Sequence, residues 1–272
     1  MQQRNHKNVL VTGAGRGIGK RLAIGFAQSG AHIGLIARSK AELDLAHLEI
    51  EHQGGVSIRI RADVTDHEQV NAAVDRFIVH YGVPDLAICA AAVQGPAGPF
   101  VESSAESWCA TVNTNLFGTA NVCRAVLPHM VERRSGKIIV LAGWGATRGR
   151  PNFSAYAASK AAVARFVESV ADELLEHNVQ INCMSPGATY TSMTDEVLRA
   201  GELAGWKEVE EAEQVRMTGG VSPDKQIQLA LFLASEQSNH VTGKLIHVDD
   251  DWKKLKTANI TSDMFTLRRA TK

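Results

Sequence analysis

The chain has 272 residues, with 29 basic and 29 acidic side chains, 44% hydrophobic and 21% charged residues. That is the composition of an ordinary globular protein, long enough to bury a core without disulfide or metal staples, and one α/β domain is the simplest arrangement. Zero net charge supplies no overall field for nucleic acid or an anionic membrane surface, and no apolar run reaches the ~18 residues of a membrane span, so neither partner is expected.

Met1-Gln2-Gln3-Arg4-Asn5-His6-Lys7 runs straight into a short apolar strand without the apolar core of a signal peptide, and a cytoplasmic location is the expectation. Cys89, Cys109, Cys123 and Cys183 show neither C-x-x-C spacing nor a histidine partner, so buried inert thiols are expected rather than a metal site or a disulfide framework.

Short apolar runs read as strands at Val9–Val11, Ile33–Ile36, Val56–Ile60, Leu86–Cys89, Ile138–Leu141, Ile181–Met184 and Leu245–Val248. Helical patterns lie between them, near residues 17–29, 40–53, 66–81, 104–133, 153–177 and 222–235. Asp66 and the pair Ser222-Pro223 are helix-start signals. Strands that are apolar throughout, each followed by a helix, predict a doubly wound, Rossmann-like sheet of seven parallel strands with helices on both faces. A ligand then sits beyond the carboxyl ends of the strands. Residues 1–251 are expected to form one domain and 252–272 a tail. The least regular stretch, 188–219, carries Glu208, Glu210, Glu211 and Glu213; it reads either as a lid over a substrate or as a solvated insertion.

The first strand runs into Thr12-Gly13-Ala14-Gly15-Arg16-Gly17-Ile18-Gly19, where a helix begins at once. Glycines allow a tight turn and let backbone approach a pyrophosphate, whose charge meets the helix N-terminus. The second strand ends at Ala37-Arg38-Ser39, with no acidic residue to take a free ribose hydroxyl. Arg16 and Arg38 are candidate forks for a 2′-phosphate, so NADP(H) is expected ahead of NAD(H); the other reading makes them plain surface charges. Asp63-Val64 follows the third strand, with the Asp63 carboxylate a candidate acceptor for the adenine amino group or only a helix-start residue.

With these pieces in order, the chain resembles the short-chain dehydrogenase/reductase family from residue 8 to about 249. The resemblance rests on Thr12-Gly13-x-x-x-Gly17-x-Gly19, Asp63-Val64, Asn115, Tyr156-Ala157-Ala158-Ser159-Lys160, and Pro186-Gly187 with Thr191. It implies an oxidoreductase that interconverts a carbonyl and a secondary alcohol on a small molecule, assembled as a homodimer or homotetramer through the helices near 104–133 and 153–177. A spacing of four puts Tyr156 and Lys160 on one helix face. At ~4 Å and an effective dielectric of ~20 an ammonium attracts a phenolate by about 4 kcal/mol before desolvation, which makes Tyr156 a candidate general acid/base. The resemblance further implies that Lys160 holds the nicotinamide ribose, that Asn115 sets a helix kink and a water, and that Thr189 and Thr191 meet the nicotinamide carboxamide and a phosphate.

Two departures stand out. The family's serine, thirteen residues before the tyrosine, is replaced by Gly143; Trp144, Thr147 and Ser154 are candidate replacement donors, and a water is a candidate for the space above Gly143. Loss of such a donor costs roughly 3–4 kcal/mol of transition-state stabilisation, which leaves open a working reductase, a binding protein with little catalysis, or an isomerase or dehydratase. Cys89-Ala90-Ala91-Ala92 stands where the family has Asn-Asn-Ala-Gly. The tail carries Lys253, Lys254, Lys256, Arg268, Arg269 and Lys272. It reads as packing on a neighbouring subunit, as closing a pocket for an anionic or sugar-like substrate, or as a mobile terminus.

Overall fold

The computed structural model describes residues 6–257 and 260–269; Met1 to Asn5 and Lys272 lie outside the described residues. Seven strands, β1 (Asn8–Thr12), β2 (His32–Ala37), β3 (Val56–Arg61), β4 (Leu86–Cys89), β5 (Gly136–Leu141), β6 (Val179–Ser185) and β7 (Leu245–His247), form one parallel sheet in the order β3-β2-β1-β4-β5-β6-β7. Strand order reverses between β1 and β4, which opens a crevice at their carboxyl ends.

The helices are α1 (Gly17–Gln28), α2 (Lys40–His52), α3 (His67–Tyr81), α4 (Ala105–Val112), α5 (Gly118–Arg133), α6 (Ser154–Glu173), α7 (Ser192–Ala200), α8 (Trp206–Thr218) and α9 (Pro223–Leu233). Side chains alternate across each strand, so β1 sends Val9 and Val11 to one face and Leu10 to the other. The first face is covered by Leu22 and Phe26 of α1, Leu43 and Ile50 of α2, and Leu229 and Phe232 of α9. The second is covered by Val70 and Phe77 of α3, Val122 and Val126 of α5, and Val163 and Val167 of α6. Phe77 is fully buried against the bare backbone of Gly34, where any Cβ would strike its ring; Phe77→Ala would cost about 3–5 kcal/mol.

Asp66 caps α3 by accepting from the amides of Glu68 and Gln69, and Ser222 caps α9 ahead of Pro223. Two expectations are corrected. The helix read over 104–133 is interrupted by a π-helical turn at Asn113–Phe117, which separates α4 from α5. Residues 188–219 are not irregular: Thr191 opens α7 with a reciprocal capping box, and α8 follows after a short 3₁₀ turn at Gly201–Leu203. The glutamates that looked like a loop cluster are helix-face residues of α8.

The tail packs on its own chain. The Leu245 amide donates to the Phe265 carbonyl (2.6 Å), Lys244 Nζ to the carbonyls of Thr261 (2.7 Å) and Ser262 (3.2 Å), and Trp252 stacks on Phe232 with ring centroids 5.3 Å apart. Arg268 pairs with Glu168 on α6 and does not line the cleft, so it gives no reason for an anionic substrate. Among the described residues no helix is long and apolar enough to cross a membrane.

Candidate active site

A cleft of about 610 Å³ runs along the carboxyl end of the sheet from Ala37 and Arg38 to the underside of α7 and α8. Its floor is the glycine turn. Gly13 and Gly17 have φ of +65° and +57°, and a Cβ on Gly13 would come within 2.7 Å of the Ala91 amide nitrogen. No side chain caps α1 and no acidic residue stands in its first turn, so the helix opens on the cleft with free amides, while the Glu42 carboxylate stands over Gly15 of the turn. This bare, uncapped cradle fits a dinucleotide pyrophosphate.

The remaining cofactor candidates divide by position. Gly13, Arg16, Gly17, Ile18, Gly19, Arg38, Ser39, Asp63 and Val64 line the cleft, whereas Thr12 lies beneath it, its hydroxyl donating to the Ile88 carbonyl (3.4 Å) and tying β1 to β4. Arg16 and Arg38 each face a carboxylate at 3.7 Å, Glu42 and Asp63 respectively, and both guanidinium groups remain more than half exposed. Asp63 Oδ1 accepts from the amide and hydroxyl of Thr65, both at 2.9 Å. Pro186, Gly187, Thr189 and Thr191 reach the cleft at its middle. Gly187 has φ +73°, the Thr189 hydroxyl accepts from Arg21 Nη1 (2.7 Å), and Thr191 is the cap of α7.

Tyr156 and Lys160 project from the first turns of α6 into the same cleft. Lys160 is buried and donates to the Leu141 carbonyl (2.7 Å), with its Nζ 5.8 Å from the Tyr156 ring centre. Burial pushes the ammonium down to about 8. Burial raises the Tyr156 phenol, and the cation that pulls it back down is Arg150. The expected depression of the phenol by Lys160 is thus not realised in this structure, because the lysine head is turned to β5. Asn115 sits at the centre of the π turn, fully buried. Its Oδ1 accepts from the Val93 amide (2.8 Å), and its Nδ2 donates to the Val93 carbonyl and the Ser159 hydroxyl, both at 3.0 Å. The side chain therefore braces the Ala90–Val93 segment, where no asparagines are available to do so.

The substrate end departs from expectation at three places. Ser154 does not line the cleft, and its hydroxyl accepts from the Trp108 indole (3.1 Å). The space above Gly143 is not left for water: a Cβ there would lie 2.7 Å from the Tyr156 hydroxyl, which rests against the bare glycine. Trp144 does line the cleft but stacks under Arg148, whose Cζ is 4.0 Å from the ring centre. Thr147 borders a second cavity of about 450 Å³, which adjoins the cleft at Gly143, Trp144 and Ser185 and is closed by Phe265 and Thr266 of the tail. Arg150, Gln94 and Glu208 also enter the cleft and were missed as site residues. The signal available for Arg150 was its place in the loop leading into α6, six residues ahead of Tyr156.

Cys89, Cys123 and Cys183 are buried and Cys109 is exposed, all four as free thiols. Burial pushes Cys183 up to about 12, and a hydrogen bond with Cys123 together with burial raises Cys89, so neither is a nucleophile at neutral pH.

A dinucleotide cradle at the switch point, sharing one cleft with a buried tyrosine and lysine, defines a nicotinamide-dependent oxidoreductase. A sequence profile of the short chain dehydrogenases matches residues 7–201, and the chain belongs to that family of NAD(P)-dependent dehydrogenases and reductases acting between carbonyl and alcohol. It is 34% identical to a 3-oxoacyl-(acyl-carrier-protein) reductase of Thermotoga maritima over 244 residues, 89% of this chain and 96% of the relative. It is 32% identical to the 5-keto-D-gluconate 5-reductase of Escherichia coli over 246 residues, 89% and 94% of the two chains. The crystal structure of a gluconate 5-dehydrogenase from Burkholderia cenocepacia in complex with NADP and tartrate superposes with a TM-score of 0.79 at 30% identity, covering 93% of this chain and 96% of that one.

Proposed function

We propose that the protein is an NADP(H)-dependent reductase of a small sugar-like ketone, with Tyr156 as general acid/base, and that it works as a homodimer or homotetramer. The observation that carries this reading is the shared cleft: the glycine turn, Tyr156 and Lys160 line one continuous space closed above by α7 and α8. NADP(H) is supported by Arg16 and Arg38 at the ribose end, beside Ala37. A sugar-like substrate is supported by the relatives that act on keto-gluconate and by the polar groups of Gln94, Arg150 and Glu208 at the far end.

When bound, the dinucleotide supplies or takes the hydride; Gly13, Gly17, Ile18 and Gly19 would hold its phosphates, and Lys160, Pro186, Gly187 and Thr191 its nicotinamide half. Tyr156 gives its hydroxyl proton to the substrate oxygen in reduction and takes it back in oxidation. Lys160 holds its buried amine 5.8 Å from the centre of the phenol ring, hydrogen-bonded to the Leu141 carbonyl, and Asn115 fixes the backbone on which both rest. The α8 helix covers this part of the cleft with Glu208, Glu211, Ala212 and Val215.

NADPH oxidation with a panel of ketones and keto-sugars tests the reading. Tyr156→Phe should cut turnover by roughly 10²–10⁴-fold with NADPH affinity retained; unchanged turnover would refute the proton-transfer role. Sedimentation at micromolar concentration tests assembly, which the reading places on α5 and α6 beside the exposed Phe117.

A further inference from the structure

Arg150 enters the cleft beside Tyr156 and is not used by the dinucleotide cradle. Its guanidinium packs on the buried ring of Phe153, with Cζ 4.2 Å from the ring centre, and stands 5.3 Å from the centre of the Tyr156 ring. The terminal amide of Gln94, nearly fully buried, lies 2.9 and 3.0 Å from Nη1 and Nη2, and with its oxygen on that side it accepts from both. Stacking and the glutamine hold the fork in place beside the reacting group.

The fork is already filled by a carboxylate. Nε and Nη2 donate to Oε2 of Glu208, at 3.0 and 2.7 Å, with both side chains mostly buried. Glu208 comes from α8, the helix that covers the cleft, and Glu211, Ala212 and Val215 on the same face line it too. Both donors converge on one oxygen of Glu208, whereas a planar carboxylate meets an arginine fork best with one oxygen on each donor. A buried guanidinium without an anion is strongly unfavourable, so some carboxylate must stand here while the cleft is empty. The one supplied by α8 is held in the poorer geometry. A second fastening, Asn152 Nδ2 to the Ala204 carbonyl (3.2 Å), keeps the lid attached to the body when Glu208 leaves.

We propose that Arg150 is the specificity-determining residue for a substrate carboxylate, and that Glu208 is its internal placeholder. A keto acid with its carboxylate a few bonds from the carbonyl displaces Glu208 and is thereby aligned with Tyr156. The inference rests on the reading of the protein as a reductase of small ketones and adds the charge of the substrate to it.

The test compares wild type, Arg150→Gln and Glu208→Gln with 5-keto-D-gluconate and with L-sorbose, an uncharged ketose of the same carbon count, using NADPH affinity as the check on folding. The ratio of kcat/KM for the acid over the ketose should fall at least 10-fold in Arg150→Gln and rise 3- to 10-fold in Glu208→Gln, with the change carried by KM. Changes of equal size for both substrates in both variants overturn the proposal. Calorimetric titration of the NADP complexes with tartrate supplies a readout independent of turnover. The affinity order Glu208→Gln, wild type, Arg150→Gln upholds the anchor even if no ketone is reduced, a result that would count against the reductase reading alone. Equal tartrate affinity in the three proteins overturns the anchor whatever the kinetics.

Discussion

The Tyr156 hydroxyl lies 2.7 Å from the point where a side chain on Gly143 would begin. The absent side chain therefore does more than remove a hydrogen-bond donor: it leaves the space beside which the phenol oxygen lies. Gly143→Ala adds only the Cβ and must push the ring away, so kcat should drop at least 10-fold with NADPH affinity unchanged, since misplacement of a reacting group by about 1 Å costs of order 10²-fold. Gly143→Ser adds the same Cβ together with a hydroxyl near the substrate oxygen and should recover part of that loss. Steady-state kinetics on both variants decides the point; an alanine variant as fast as wild type would show that the ring does not depend on this contact.

The proposed preference for NADP(H) rests on two ion pairs that line the cleft. Arg16 faces Glu42 and Arg38 faces Asp63, each at 3.7 Å, too long for strong hydrogen bonds and with the guanidinium groups largely in solvent. A 2′-phosphate would compete well for such loosely held forks. Arg38→Ala should weaken NADPH binding by about 10- to 100-fold and NADH binding by less than 3-fold, while Glu42→Gln should tighten NADPH selectively. Fluorescence titration with both dinucleotides measures this, and equal losses for the two would remove the phosphate role.

Asn115 is a structural clamp with two ends. Replacing it by alanine removes the partner of the part-buried amide and carbonyl of Val93 and one partner of the buried Ser159 hydroxyl. Unsatisfied buried backbone groups cost about 1–3 kcal/mol each, so Asn115→Ala should lose roughly 2–4 kcal/mol in urea denaturation and should also reduce turnover by loosening the floor of the cleft. A variant of wild-type stability would show that water replaces the side chain at no cost.

The sheet was readable because its central strands are short apolar runs buried on both faces, so hydrophobicity marks Val9–Val11 or Ile138–Leu141 without help from distant contacts. The glycine turn was readable for a local reason as well: Gly13 and Gly17 take conformations that other residues avoid. What sequence could not give were side-chain partners fixed by tertiary packing. Ser154 is taken by Trp108, forty-six residues earlier, and Arg150 by Glu208, fifty-eight residues later. The α8 glutamates looked like a loop cluster because the low apolar content of that stretch hides its period; helix 206–218 buries only Ala212. The turn of the Lys160 head toward Leu141 is likewise a packing outcome, invisible in a spacing of four.

That lysine leads to a prediction about stability. Its amine is held at about 8, below the ordinary 10.5, because burial disfavours the charged form. Below about pH 8 the amine is protonated in both folded and unfolded chains, and the folded state bears the whole cost of the buried charge. Between about 8 and 10.5 the unfolded chain binds more protons than the folded one, so this group makes stability rise with pH. The drop from 10.5 to about 8 is worth roughly 3 kcal/mol. Lys160→Met, without dinucleotide, should therefore be more stable than wild type at pH 7 by roughly 1–3 kcal/mol despite being inactive, and the gap should close as the pH approaches 10. Lys137, also lowered to about 8, is present in both proteins and cancels from the comparison. Denaturant unfolding at pH 7 and pH 9.5 measures the gap; a variant less stable than wild type at pH 7 would mean that the hydrogen bond to Leu141 outweighs the burial of the charge.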